Sequence, residues 1–279
     1  MSIARATLER VVRLALEEDL GGGDLTTAAC IEPSSQGRAE LRAREAVVVA
    51  GVEVAIEVFR QIDTTVTLAI DAADGARVAA GGRVLSVSGP SASILMGERV
   101  ALNFMQRMSA IATRTAELVA VLPKGSRTRI TDTRKTTPGL RALERHAVRC
   151  GGGHNHRNYL GSAVLIKDNH VAASGGVRQA IERARAHAPH TSKISCEVTT
   201  EAELLEALAA RADVIMLDNW DDDGLPAAVR TIAGRALVEV SGRVSRERVA
   251  KIAAAGVDVI SVGALTHSAG SVDLGLDWV

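Results

Sequence analysis

The sequence predicts an α/β chain in which a small N-terminal α/β region precedes a parallel, barrel-like (β/α) region. Three observations predict it. After residue 126, short β-like runs alternate regularly with helical stretches, which is the rhythm of right-handed βαβ units. Residues 37–90 have a different texture, with alternating or apolar runs punctuated by Gly and Asp, and read as a small sheet with turns. Neither GxGxxG nor GxxxxGK[ST] occurs, which favours a barrel over an open dinucleotide-binding sheet.

Taken in order, residues 5–18 place Leu8, Val11, Val12, Ala15 and Leu16 on one helical face, and Gly21, Gly22 and Gly23 stop the pattern. The sheet-forming segments that follow are RAELRAREAVVVAG, TVTLAI and GARVAAGGRVLSVSG, with a helix at 51–61. Ser91 is placed to cap a helix running to about 121, with Leu95, Val100, Leu102, Met105, Met108 and Ile111 mostly inward. Strands are then expected at 128–131, 163–166, 193–198, 213–217, 236–240 and 258–262. Helices are expected near 139–149, 177–188, 201–211, 223–233 and 245–255.

Composition narrows the class. The 279 residues are 47% hydrophobic and 24% charged, as in an ordinary globular enzyme. Basic and acidic residues balance at 33 each, against a nucleic-acid or anionic-membrane binder. No apolar run approaches the roughly 20 residues of a membrane span, and the N-terminal stretch lacks the apolar core of a signal peptide. Three widely spaced cysteines, Cys30, Cys150 and Cys196, make neither a disulfide framework nor a metal knuckle. A cytoplasmic protein without membrane or nucleic-acid partners is expected. Aromatics are 2%, so the core must be built from Ala, Val, Leu and Ile.

In a (β/α) barrel, function collects on the loops after the strands. Those positions hold Asp132, Thr133, Arg134 and Lys135, then Lys167-Asp168-Asn169-His170, Glu197, Asp218-Asn219, Ser241-Gly242-Arg243 and Gly263-Ala264. Cations come early, acids in the middle and small residues late. Arg134, Lys135 and Lys167 suit carboxylates or phosphates. Glu197 and Asp218 are hard oxygen ligands of the kind Mg²⁺ uses. Late glycines let backbone N–H groups approach a phosphate. Singly, most of these are turn residues or solvated charges. Lys167 stands apart, because a strand end inside a barrel is expected to be partly buried and a lysine is costly there. The joint placement points to a phosphosugar reaction.

His154-Asn155-His156 follows a glycine triplet behind a helix. An HxH pair can hold Zn²⁺, yet the plain reading puts this one at the wrong end of the barrel. Either the glycines release the chain into an extra short strand, or the histidines are structural. An imidazole beside Arg157 suits a carboxylate.

The stretches DTRKTTPGLRALERHAVRCGGGHNHR (132–157), VLIKDNH (164–170), VIMLDN (214–219) and DVISVGALTHS (258–268), with EEDLGGGDLTT (17–27), strongly resemble the quinolinate phosphoribosyltransferase family, the decarboxylating enzymes of NAD biosynthesis. The resemblance spans nearly the whole chain. It implies an α/β sandwich domain, 1–112 with 269–279 returning to it, joined to an open TIM-like α/β barrel at 113–268. It implies conversion of quinolinate and phosphoribosyl pyrophosphate to nicotinate mononucleotide, pyrophosphate and CO₂ with Mg²⁺. A homodimer with shared active sites is implied, with higher assembly left open. Arg134, His156, Arg157 and Lys167 would hold the quinolinate carboxylates, with Thr133 beside them and Lys135 at the junction of the two substrates. Glu197 and Asp218 would serve the ribose hydroxyls and Mg²⁺–pyrophosphate. Ser241, Gly242, Gly263 and His267 match the 5′-phosphate region, and Arg99 matches an arginine reaching into the neighbouring subunit's site. Three positions depart from the family pattern: Arg243 replaces a glycine, Ser162 stands where an acid is common, and His154 precedes Asn-His-Arg.

Rival readings are a Schiff-base aldolase using Lys167, a related phosphoribosyltransferase for another acid, and a biotinyl-like carrier over 74–89. The carrier fails because its turn has no lysine.

Overall fold

The small antiparallel sheet and the parallel βαβ array both form in a computed structural model, which describes residues 3–279. The chain begins with α1 (Arg5–Leu20), α2 (Leu25–Cys30), β1 (Gln36–Ala43), β2 (Val47–Val48) and α3 (Val52–Ile62). It continues with β3 (Thr67–Ile70), β4 (Arg77–Val78), β5 (Arg83–Pro90) and the long α4 (Ser91–Ala120). Next come β6 (Arg129–Thr131), α5 (Arg141–Cys150), β7 (Val164–Ile166), α6 (Asp168–Ser174) and α7 (Val177–His187). Then follow β8 (Ile194–Val198), α8 (Glu201–Ala209), β9 (Val214–Asp218) and α9 (Leu225–Ile232). The last elements are β10 (Leu237–Ser241), α10 (Arg246–Ala254), β11 (Val259–Ser261), α11 (Ala264–His267) and β12 (Leu274–Trp278). Each strand expected between 128 and 262 forms within one residue of its expected bounds, because apolar runs bounded by polar turns leave little freedom.

Two units result. One comprises the chain up to Ala116, Lys135–Gly152 and Ala264–Val279; the other comprises Glu117–Arg134 and Gly153–Gly263. The first unit carries an antiparallel sheet of order β12-β1-β5-β3. Alternation along β1 buries Ala39, Leu41 and Ala43, and β5 adds Val84, Leu85 and Val87. The α3 face of Val54, Ala55, Val58 and Phe59 is likewise buried. With so few aromatics, Phe59 needs a close neighbour of minimal size: a Cβ on Gly97 of α4 would lie 2.6 Å from its ring. Residues 135–152 and 264–268 also belong to this unit. The reason is an ion pair. Arg107 of α4 reaches Glu144 of α5 at 2.8 Å and also donates to the Thr266 carbonyl. Glu144, 1% exposed, in turn accepts from Thr137 Oγ1 at 2.7 Å and from Thr137 N at 3.1 Å.

The second unit is a parallel sheet of order β6-β11-β10-β9-β8-β7. Beyond β6, His154 adds a parallel bridge to Thr131. With that bridge included, the strands follow one another in cyclic chain order, with no hydrogen-bonded strand pairing between His154 and β7 among the described residues. One face carries Ile130, Cys196, Ile215, Val240 and Ile260, all buried and apolar, as expected under the helices of βαβ units. The register places Thr131, Ser195, Glu197, Asp218, Glu239, Ser241 and Ser261 on the other face. No helix among the described residues is long and apolar enough to cross a membrane.

Candidate active site

The polar face of the parallel sheet is unusual in its hydrogen bonding. Thr131 Oγ1, Ser195 Oγ and Ser261 Oγ are buried without a hydrogen-bond partner in the protein, and Glu239 is buried on the same face. Folded chains rarely leave such groups unpaired. Three of them on one face set it apart from an ordinary apolar core.

The segment after the glycine triplet is tied to this sheet by backbone and side chain together. His154 N donates to Ile130 O at 2.8 Å, and Asp132 N donates to His154 O at 3.2 Å. The glycines therefore release the chain into an extra strand position, and Asn155, His156 and Arg157 emerge at the C-terminal end of β6. The plain expectation that they lie at the opposite end is corrected, for this backbone reason. Asp132, 0% exposed, clamps the segment. Its Oδ1 accepts from His156 N at 2.7 Å and its Oδ2 from Asn155 Nδ2 at 2.5 Å.

The His156 ring is oriented twice. Its Nδ1 accepts from Arg157 N at 2.7 Å, which assigns the proton to Nε2. That Nε2 lies 3.3 Å from Glu239 Oε1, whose side chain is 4% exposed. No cluster of three metal-ligating side chains includes His154 or His156 among the described residues.

Thr133 and Arg134 are half-buried on the loop after β6. Arg134 Nε is buried without a hydrogen-bond partner. Arg157 donates to Ala163 O at 3.0 Å. Burial, and secondarily the charge of Arg134, push the Arg157 guanidinium below its usual value. The two arginines thus repel one another in a partly dry setting.

Lys167, at the start of α6, pairs with Glu197 at 2.5 Å. Its side chain is 46% exposed, so the burial expected for this lysine is not found; α6 begins immediately and carries it to the rim. Its interest lies in the partner: the Glu197 carboxylate is 11% exposed. Asp218 follows on the neighbouring strand, and its Oδ2 accepts from Asn219 Nδ2 at 2.6 Å. Asn219 takes a left-handed backbone, φ 57°, and its N donates to Ser241 O at 3.0 Å. Gly242, φ +84°, is packed against it: a Cβ there would lie 2.3 Å from Asn219 Oδ1. Arg243 is also left-handed, φ 48°, and its guanidinium donates to the Asn219 carbonyl. Gly263 follows β11 and is half-buried.

The remaining sequence-predicted residues lie in the first unit. Lys135 is exposed, and its carbonyl accepts from Thr266 Oγ1 at 2.7 Å. Arg99 is exposed on α4, and exposed His267 Nδ1 lies 2.6 Å from Ser268 Oγ. Ser162 proves local: its Oγ donates to Tyr159 O at 2.9 Å and closes a short turn at 160–162. Sequence reasoning missed Glu239 and the Asp132 clamp as parts of this array. An acid inside the apolar run ALVEV was the available signal for the first.

An open parallel α/β unit with arginines, a lysine–glutamate pair and glycine-bearing turns at its strand ends defines an enzyme class for small anionic substrates. The profiles of the two quinolinate phosphoribosyl transferase domains match this chain, the N-terminal domain over residues 24–109 and the C-terminal domain over residues 111–277. A nicotinate-nucleotide pyrophosphorylase [carboxylating] of Mycobacterium leprae is 44% identical over 276 residues, covering 95% of each chain. A probable enzyme of that name in Bacillus subtilis is 41% identical over 97% of this chain and 93% of its own. The solved nicotinate-nucleotide pyrophosphorylase of Francisella tularensis superposes with a TM-score of 0.95 at 37% identity, covering 100% of this chain and 98% of that one. The chain belongs to the quinolinate phosphoribosyltransferase family.

Proposed function

We propose that the protein joins quinolinate to phosphoribosyl pyrophosphate, giving nicotinate mononucleotide, pyrophosphate and CO₂. The observation that carries this reading is the pair of mutually repelling arginines, Arg134 and Arg157, with a buried Arg134 N–H that has no protein partner. A dicarboxylate relieves the repulsion and satisfies that donor.

In this reading Arg134, His156, Arg157 and Lys167 clamp the two carboxylates, Thr133 lines their approach, and Lys135 lies where the substrates meet. Fixing the ring lets its nitrogen attack the anomeric carbon, a gain by orientation. The C–N bond forms as the bond to pyrophosphate breaks, and pyrophosphate leaves with the electron pair. Fixed carboxylates near the ribose stabilise the cationic transition state. The C2–carboxylate bond then breaks to release CO₂. Its electrons stay on C2 beside the cationic nitrogen until C2 takes a proton. Ser241, Gly242, Gly263 and His267 receive the 5′-phosphate.

Glu197 and Asp218 suit Mg²⁺. They are oxygen ligands on neighbouring strands, and each has one oxygen in a side-chain hydrogen bond, Glu197 Oε2 with Lys167 and Asp218 Oδ2 with Asn219. When bound, Mg²⁺ supplies charge neutralisation to the leaving pyrophosphate. Arg99 serves a second subunit's site in a homodimer, and the setting is cytoplasmic. The test is product formation by purified protein with phosphoribosyl pyrophosphate and Mg²⁺, quinolinate being compared with nicotinate. Mononucleotide and CO₂ from quinolinate alone support the proposal; product from nicotinate alone, or from neither, overturns it.

A further inference from the structure

Outside the parallel-sheet unit, the first unit brings together three side chains with no part in the reaction above: Asp74 in the β3–β4 loop, and His146 and Cys150 of α5. One ligand atom from each lies within 4.8 Å of the other two. His146 Nε2 is 2.7 Å from Asp74 Oδ2. His146 and Cys150 are four residues apart on one helix, so they project from the same face.

The carboxylate is preorganised. Asp74 Oδ1 accepts from Gly51 N at 2.9 Å and from Val52 N at 3.0 Å, at the first turn of α3, leaving Oδ2 for His146. The loop also hugs the end of α5. A Cβ on Gly75, φ +87°, would lie 3.3 Å from the Cys150 carbonyl. Hydrogen bonds of this kind orient the ligands of built metal sites. All three side chains are half-buried, so an ion can enter from solvent and keep water as a fourth ligand. Cys150 is in no disulfide.

We infer that Asp74, His146 and Cys150 form a binding site for a borderline-soft divalent transition-metal ion of the Zn²⁺ class. Tetrahedral Zn²⁺ needs ligand atoms about 3.3–3.6 Å apart given its usual bond lengths. The 2.7 Å carboxylate–imidazole contact must therefore open by about 0.6 Å, and the thiolate side must close by side-chain rotation. Binding displaces protons from the imidazole and the thiol. The donor set separates this site from the all-oxygen pair Glu197 and Asp218, because thiolate and imidazole select Zn²⁺ or Co²⁺ over Mg²⁺.

The experiment is a Co²⁺ titration of the full-length, chelator-treated and reduced protein in excess Mg²⁺, followed by Zn²⁺ competition. One equivalent of Co²⁺ should bind with a thiolate-to-cobalt charge-transfer absorption, and Zn²⁺ should abolish it. Cys150→Ser should remove the absorption, while His146→Gln and Asp74→Asn should weaken binding at least tenfold. Cys30→Ser should change nothing. Circular dichroism and urea midpoints in chelator establish that each variant is folded; Cys150→Ala replaces Cys150→Ser if the latter is not. A missing absorption in the wild type overturns the inference. So does an absorption that survives in the Cys150 variant, or an affinity unchanged in both His146→Gln and Asp74→Asn.

Discussion

Asp132→Ala is the substitution that most directly tests how the site is held. The side chain is 0% exposed and accepts from His156 N at 2.7 Å and from Asn155 Nδ2 at 2.5 Å. Hydrogen bonds to a charged group contribute about 1.5–3 kcal/mol each, so the two sum to about 3–6 kcal/mol. Removing a buried carboxylate also removes its desolvation cost, which offsets part of the loss. A net destabilisation of about 3 kcal/mol follows, a large share of the 5–15 kcal/mol typical of folded chains. In urea melts this lowers the midpoint by about 1 M or more. Asn155→Ala removes one donor to that carboxylate and should cost about 1.5–3 kcal/mol. Because the same clamp fixes His156 and Arg157, KM for quinolinate should rise at least about tenfold, roughly 1.4 kcal/mol of lost binding. An Asp132→Ala midpoint within experimental error of wild type would refute the clamp. A large stability loss with unchanged KM would refute its role in positioning the site.

Gly242→Ala should lower affinity for phosphoribosyl pyrophosphate more than for quinolinate, because the new Cβ would sit 2.3 Å from Asn219 Oδ1 at φ +84°; strain of about 1–2 kcal/mol accompanies it. Equal effects on both substrates, read from KM, would contradict this. His146 is raised from its ordinary 6.5 to about 10, first by its hydrogen bond to Asp74 and then by Cys150. A raised folded value means the contribution is complete below pH 6.5 and is lost as pH climbs toward 10. In metal-free protein, urea stability should therefore fall more steeply across that window in wild type than in His146→Gln; parallel profiles would remove the effect. Burial pushes the Cys196 thiol up to about 12, so at pH 8 a thiol reagent should label exposed Cys30 quickly and Cys196 only on unfolding, as mass spectrometry of labelled peptides can show.

The strands of the parallel unit were legible because their signal is local. Runs such as DVIML and DVISV are apolar where one face lies under helices, and a polar residue ends each one. The bridge at His154 was legible only as one of two alternatives. It depends on one backbone pairing with Ile130 and Asp132, and the glycines before it permit either direction of exit. The short α2 was missed for a similar reason: it is six residues, held by Asp24 Oδ1 accepting from Thr27 N at 2.9 Å. Among site residues, sequence order found the charges but not their pairing. Lys167 and Glu197 are 30 residues apart, and only the β7–β8 register brings them within 2.5 Å. That Asp74 meets His146 across 72 residues lies further still from anything periodicity can report.

The pattern of cost explains why these groups belong to a reaction and not to the fold. Partnerless hydroxyls on Thr131, Ser195 and Ser261, a buried Glu239, and two arginines that repel each other all work against folding. The opposite face of the same strands is apolar and almost fully buried, which supplies the stability that tolerates them. A sequence selected for folding alone would place apolar side chains on both faces of a parallel sheet. Here the polar face coincides with the strand ends that carry Lys167, Glu197, Asp218 and Ser241. An anionic ligand placed between the arginines would replace their mutual repulsion with attraction to itself. The groups that destabilise the free protein are thus the ones that make ligand binding favourable.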